Sequence, residues 1–600
     1  MHNIEKQTEI YINEMGSTPH QHGVFFRVWA PHADYVSVVG NFNDWNEGAN
    51  PLIAGENGCW GVNVEHAKEG DQYKFFIKNG ELNLYKNDPY ARQVTSSVGN
   101  SIVYNPKKYN WENVNYQIPS WNNLVIYELH IGTFNRSNAD TVGTFHDAIR
   151  KLPYLQKLGI NAVEIMPPFE FAGGLSWGYN PAHPFAIETE YGGPVAFKDF
   201  IKEAHKLGIA VILDVVYNHF GPSDLDLWQF DGWQENGKGG IYFYNDWRST
   251  TPWGDTRPDY GRPEVGHYIK DNALMWLDDY KVDGLRMDMV PYIRNVHADG
   301  NPAHDLQEGV NMIKWINNDI HERYPNALVI AEDMHGHDFI TDQVQSGGLG
   351  YGAQWDADFV HPLRNVLTQA SDEYIDMNLL CSALLNRYSN DAMRRVIFTE
   401  SHDEVANGKS RVAEEVEPGN ATGWYARKKA TLGAVLVLTS PGIPMIFQGQ
   451  TLQEGSWFQD TDPLDWGRLD EVSGISNMYK DLIHLRRNLT GVTAGLMGQH
   501  TELLACDHDA KLLAFQRWQN GGSKDSTVVI LNFSHQAREN YQVRLPAEGK
   551  WVVRFNGDAE VYGADFAHTH CTETEAVLKE DAFIAEISIG PYSALVLSQD

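Results

Sequence analysis

Four acidic residues stand at the ends of short apolar runs. They close Val211-Ile212-Leu213-Asp214, Asp283-Gly284-Leu285-Arg286-Met287-Asp288, Val329-Ile330-Ala331-Glu332 and Phe398-Thr399-Glu400-Ser401-His402-Asp403. Breaking a glycosidic bond with retention needs two carboxyl groups about 5–5.5 Å apart, one attacking the sugar carbon and one protonating the leaving oxygen. Arg286 lies two residues before Asp288, so on a strand both side chains point the same way. A guanidinium there keeps the neighbouring carboxylate ionised and oriented. Glu332 must carry a proton to serve as the acid. Asp403 and His402 suit sugar hydroxyls, and Tyr179 offers a ring for a sugar to stack on. Singly, each has a plainer reading: an Asp after a strand is more often a helix N-cap or loop anchor, and a lone His219 more often a structural hydrogen-bonder. Four acidic ends with Arg286 beside one of them are harder to explain that way.

The elements that must position these residues alternate. Apolar runs over 124–130, 161–166, 209–214, 282–288, 327–332, 353–359, 396–403 and 442–447 read as strands. Amphipathic helices are expected between several of them, at 145–158, 196–207 and 264–280. Repeated β-then-α units with eight strands predict an α/β fold, a (β/α)8 TIM barrel, whose strand C-termini form the active face. Residues 220–262 are rich in Trp, Gly and Asp and too long for an ordinary connection, so they read as an active-site insertion. Before the barrel, short β runs such as Val24-Phe25-Phe26-Arg27-Val28-Trp29 and Tyr73-Lys74-Phe75-Phe76-Ile77, separated by Asn/Gly turns, predict a β-sandwich. Runs at 512–518 and 526–533 predict a second one at the C-terminus. The expected domains are 1–115, 116–494 and 495–600.

Composition narrows the partners. The chain has 600 residues with 47 Lys and Arg against 79 Asp and Glu, a net charge of −32. That balance repels phosphate backbones and offers no basic face to an anionic membrane, so neither nucleic acid nor membrane is expected as a partner. No stretch approaches the roughly 18 consecutive apolar residues of a membrane span. Residues 1–16 lack the apolar core of a secretory signal, so a cytoplasmic location is expected. The four cysteines are distant in sequence and read as structural thiols rather than disulfides or a metal site. The 18 Trp and 28 Tyr supply flat faces suited to sugar rings, though most are expected in cores. Nothing in the sequence addresses assembly.

At this point the chain resembles a known family. Asp214-Val215-Val216-Tyr217-Asn218-His219, Gly284-Leu285-Arg286-Met287-Asp288, Ala331-Glu332-Asp333 and Ser401-His402-Asp403-Glu404 are similar to the four signature regions of glycoside hydrolase family 13, the α-amylase superfamily. The resemblance implies Asp288 as nucleophile, Glu332 as acid/base and Asp403 as transition-state stabiliser. It implies Tyr179, Asp214, His219, Arg286 and His402 as residues that bind the sugar, and it implies no cofactor and no catalytic metal. Arg27-Val28-Trp29-Ala30-Pro31 with Asn41-Phe42-Asn43-Asp44-Trp45 resembles a family 48 carbohydrate-binding module.

Within the family, Ser401-His402-Asp403-Glu404-Val405 and Pro444-Met445-Ile446-Phe447-Gln448-Gly449-Gln450 are similar to glycogen branching enzymes. Val125-Ile126-Tyr127-Glu128-Leu129-His130 and Asp271-Asn272-Ala273-Leu274-Met275-Trp276-Leu277 also fit maltooligosyltrehalose trehalohydrolases. The expected partner is an α-glucan. The expected function is a branching-type transglycosylase, in which a glucan 6-hydroxyl accepts the glycosyl unit. The alternatives are a hydrolase of α-amylase or trehalohydrolase type, with water as acceptor, and a non-catalytic glucan-binding protein.

Overall fold

The alternating runs of the first hundred residues pair as antiparallel ladders in a computed structural model that describes residues 12–137, 141–566 and 569–600. Residues 1–11, most of the segment read as lacking a secretory core, lie outside the described residues. One sheet joins Gly16–His20, Gly23–Trp29, Cys59–Val64 and Ile53–Ala54; the other joins Tyr35–Gly40, Gln72–Asn79 and Leu82–Lys86, with Ser101–Ile102 on its flank. Val24, Phe26 and Val28 from the first sheet meet Val36, Val38, Phe75 and Ile77 from the second in a shared core. Between them Arg27 and Lys74 are half-buried, while Phe25, Ser37 and Phe76 are buried as well, so the outer faces are also partly covered.

The next eight strands close into a parallel barrel. They are β1 (Ile126–Leu129), β2 (Ala162–Ile165), β3 (Ala210–Val215), β4 (Gly284–Met287), β5 (Leu328–Ala331), β6 (Ala353–Trp355), β7 (Arg395–Ile397) and β8 (Ile443–Phe447), in sequential order with β8 pairing β1. The barrel core below the mouth is aliphatic, with Ile126, Ala162, Ala210, Ile212, Leu328, Ile330, Val396 and Ile443. Further along the same strands the same parity turns polar. Register places Glu128 beside Glu164 and Asp214 beside Arg286. The period of two thus carries one set of side chains from an apolar floor to a charged mouth.

Several expected bounds move. β6 stops at Trp355 instead of 359, because the Asp356 side chain accepts from Asp358 N and caps the helix Ala357–Thr368, which places Phe359 in that helix. β7 keeps three residues, and 398–403 leave the sheet as a loop. The helix expected over 145–158 is two, Phe145–Ile149 and Leu152–Leu158, the second with proline in its first turn, where a missing N–H does no harm. The other two expected helices are Gly193–Lys206 and Pro263–Asp278.

After the barrel, eight antiparallel strands form one continuous path around the apolar cluster of Leu512, Val528, Ile530, Trp551, Ile587 and Leu597. The strand Glu573–Lys579 pairs first with Gly549–Val552 and then with Ala582–Ile584, so it passes from one layer to the other. Cys381 and Cys506, 125 residues apart, meet across the contact between this domain and the barrel, with their Sγ atoms 2.8 Å apart. Among the described residues no helix is long and apolar enough to cross a membrane.

One glycine is forced by packing. A Cβ on Gly284 would lie 2.0 Å from the Leu328 carbonyl oxygen and 2.6 Å from its Cβ, so any side chain there pushes β4 off β5. Gly284→Ala is expected to destabilise the fold by about 2 kcal/mol, read as a lower midpoint in urea. An unchanged midpoint would show that β4 has room the packing denies.

Candidate active site

The charged mouth is organised by Arg286. It is fully buried on β4, and its guanidinium reaches three acids. Nη1 donates to Asp214 Oδ2 at 2.6 Å and to Asp288 Oδ1 at 3.1 Å. Nη2 forms an ion pair with Glu332 Oε2 at 2.8 Å. The guanidinium carbon lies over the Trp355 ring, 4.3 Å from its centroid, a cation–π contact that favours arginine. Asp214 reaches Arg286 because the two are register partners on β3 and β4. Asp288 reaches it because they share a strand parity.

Asp288 is satisfied on both oxygens. Its Oδ2 accepts from Asn218 Nδ2 at 2.6 Å, and the same amide donates to the Asp288 carbonyl at 3.0 Å. Asn218 Oδ1 in turn accepts from His219 Nδ1 at 2.5 Å. Met289 follows with φ 39° and ψ 53°, left-handed backbone that a non-glycine residue adopts only under constraint. That turn aims its N–H at Glu332 Oε2, 2.8 Å away. Asp333 points away from Glu332, as expected from its adjacent position, and binds Arg294 and His335 at 2.8 and 3.0 Å.

Burial pushes Asp288 well above the usual carboxylate range, and the charge of Glu332 pushes the same way, while Arg286 and Asn218 oppose both. Burial likewise pushes Asp214 up to about 6, against the pull of Arg286. A single buried cation among three carboxyl groups in a poorly solvated site offsets only part of that burial cost.

The other side of the mouth comes from β1 and the loop after β7. His402 Nδ1 donates to Glu128 Oε1 at 2.5 Å, and its backbone N–H donates to Oε2 at 3.1 Å. Its Nε2 lies 3.5 Å from Asp403 Oδ2. Burial alone would lower its pKa, but the charges of Asp403 and Glu128 outweigh that and push it up to about 10, so the ring is an imidazolium. Tyr179 stacks on it with centroids 4.9 Å apart and donates its hydroxyl to Asp214 at 2.6 Å. His219 is the opposite case: burial pushes it down to about 4, so it is a neutral ring, stacked 4.7 Å from Trp253.

A cavity of about 430 Å³ opens over these groups. Asp288, Met289, His219, Tyr179, His402 and Asp403 line it, with Trp253 across from them. Seven of the eight residues singled out from the sequence therefore meet around the cavity or directly beneath it, and the eighth, Glu332, joins through Arg286. Residues the sequence reading did not select also belong here. Glu128 anchors His402, Asn218 anchors Asp288, and Trp253 forms a wall. Glu164, beside Glu128 in register, is buried with neither carboxyl oxygen hydrogen-bonded, and burial pushes it well up into the neutral form. An acid interrupting an apolar strand was the available signal for Glu128 and Glu164. Trp253 had none, because nothing local tells which tryptophan of a long insertion turns inward.

Comparison with known proteins follows the same three parts. The model of the α-amylase catalytic domain matches residues 129–473, that of carbohydrate-binding module 48 (isoamylase N-terminal domain) matches 14–91, and that of the α-amylase C-terminal all-β domain matches 504–600. The chain is 30% identical to the 1,4-alpha-glucan branching enzyme of Oceanobacillus iheyensis, over 90% of this chain and 87% of that one. It is 29% identical to the branching enzyme of Salinibacter ruber, over 97% and 96%. Among solved structures, pullulanase of Anoxybacillus sp. LM18-11 complexed with maltotetraose superposes with a TM-score of 0.76 at 20% identity, covering 98% of this chain and 88% of that one; this likeness concerns the fold. With more than half its length matched by the catalytic-domain model and relatives at 30% identity over nearly all of it, the chain belongs to the α-amylase family, glycoside hydrolase family 13.

Proposed function

We propose that this protein is a retaining 1,4-α-glucan branching-type transglycosylase. The observation that carries the chemistry is the Arg286 guanidinium spanning Asp288 and Glu332 at the barrel mouth. The branching enzymes among its full-length relatives favour a glucan hydroxyl as the acceptor.

The hydrogen bonds support the two roles. Both oxygens of Asp288 receive N–H donors, from Arg286 and Asn218, as suits an attacking carboxylate, whereas the Met289 N–H reaches Oε2 of Glu332 and leaves Oε1 for the hydrogen an acid donates. Asp288 attacks C1 of the donor glucose. The C1–O4 bond breaks, and the Glu332 proton goes to the departing O4. A glycosyl ester on Asp288 results. Glu332, now a carboxylate, takes the proton of an acceptor 6-hydroxyl, whose oxygen attacks C1 and frees Asp288. Asp403 and the His402 imidazolium grip hydroxyls of the reacting sugar, and Asp403 opposes the positive charge that builds on its ring. Asp214 holds Arg286 and Tyr179 in place, and neutral His219 offers a hydrogen bond without adding charge.

Two outcomes test this reading. Incubation with amylose is expected to form α-1,6 linkages, counted after release by a debranching enzyme, with little new reducing sugar. Glu332→Gln is expected to slow this by about 10²- to 10⁴-fold and Asp288→Asn to abolish it, with both variants still folded. Reducing sugar without branches would make water the acceptor. Glucan binding with neither product in the wild type would overturn catalysis altogether.

The charge on His402 has its own signature. Its folded pKa of about 10 lies above the ordinary 6.5, so its contribution to stability is complete below pH 6.5 and is lost as pH rises through about 10. The Tm difference between wild type and His402→Gln is expected to shrink from pH 6 to pH 10. A difference constant over that range would mean the ring is not charged in the folded protein.

A further inference from the structure

We infer that the N-terminal module is a working part of the catalytic site: through His32 and Asp231 it holds the insertion that places Trp253 over the donor cavity. Residues 220–262 contain only two 3-10 turns, Gly240–Tyr242 and Trp247–Ser249, so little regular structure fixes them. The barrel holds their C-terminal part, through Tyr244 and Arg248 on Glu308 and Arg257 on the Val296 carbonyl, and the module holds the part before it. Asp231 is fully buried, and its Oδ2 accepts from both the backbone N–H and Nδ1 of His32, at 2.9 and 3.0 Å. Its Oδ1 accepts from Trp233 N at 3.1 Å, and its carbonyl from Asn79 at 3.0 Å. The His32 ring lies parallel to Trp233, with centroids 4.7 Å apart. Around this centre Lys86 donates to the Trp228 carbonyl at 2.9 Å and Asn87 N to Asp226 at 2.9 Å.

The insertion is stitched through to its far side. Gln229 N donates to the Gly239 carbonyl at 2.7 Å, and Lys238 pairs with Asp255 at 2.8 Å. Between Asp255 and that anchored half stands Trp253, held by Thr251 Oγ1 at 3.2 Å, stacked on His219 and edge-on to Tyr292. His219 bonds Asn218, and Asn218 bonds Asp288. A continuous set of contacts thus runs from His32 to the Asp288 carboxylate. Removing the Asp231 carboxylate leaves three N–H donors without their acceptor and loosens the module's hold on the segment that leads to Trp253. His32 and Asp231 are positioning residues: they touch no substrate and act through Trp253 and His219.

This role differs from glucan capture in a way that kinetics can read. A capturing module matters only to chains long enough to reach it and the cavity together. A buttress matters to every donor, however short. The inference rests on Asp288 as the nucleophile, and α-maltosyl fluoride tests both, since Asp288 displaces fluoride as a glycosyl ester forms. In the full chain, Asp231→Ala and His32→Ala are expected to lower kcat for fluoride release by about 10- to 100-fold, with retention on glycogen in affinity electrophoresis unchanged. Asp231→Asn, which keeps an acceptor oxygen, is expected to recover most of the rate. His32 is partly exposed, so its variant leaves the core intact. Unchanged kcat on this short donor in both alanine variants, with weaker glycogen retention, would overturn the inference and leave the module a capture device. No fluoride release by the wild type would instead overturn the reading of the site.

Discussion

A guanidinium taken out of water and surrounded by carboxylates is the constraint on which the rest of this molecule depends. Desolvating such an ion costs several kcal/mol, and only close, well-directed partners offset it. Arg286 has three, each from a different strand end: Asp214 after the middle of β3, Asp288 just past β4 and Glu332 just past β5. The three acids repel one another and are bearable together only because the cation lies between them. The arrangement orients the carboxyl group that must attack and the one that must protonate. Trp355 behind the guanidinium and the tight passage at Gly284 keep it from relaxing toward solvent.

Much of this was legible in the sequence because it is local. The two-residue spacing of Arg286 and Asp288 predicts their contact through strand parity alone, and acids closing apolar runs predict a common face once the runs alternate with helices. The residues named from the strand ends and from the family resemblance do converge. What stayed hidden was set by packing between distant segments. Asn218 selects Asp288 across two strand ends, and Glu128 finds His402 across 274 residues. Element ends shifted where a cap competed with the apolar pattern: Asp356 starts a helix inside what reads as a continuing strand. The meeting of Cys381 with Cys506 was invisible for the same reason, since their separation in sequence says nothing about a contact between domains.

The accessory parts follow the same logic of positioning. The insertion has little regular structure of its own, and the N-terminal module satisfies Asp226 and Asp231 and the Trp228 carbonyl in it. Its cavity-facing side supplies the aromatic wall, and the barrel supplies charge. A sugar ring in the cavity would meet an apolar face at Trp253 and hydrogen-bonding groups at His402, Asp403 and His219, which matches the two-sided character of a pyranose.

The most direct test of the account is to catch the bond it predicts. Glu332→Gln treated with a 5-fluoro-α-maltosyl fluoride should accumulate a glycosyl ester, because the fluoride leaves without an acid and the second step lacks its base. Mass spectrometry of the digested protein is predicted to find the added sugar on the peptide containing Asp288, and to find none when Asp288 is also replaced by Asn. A label on Asp403 or Asp214, or fluoride release with no covalent adduct on the protein, would contradict it.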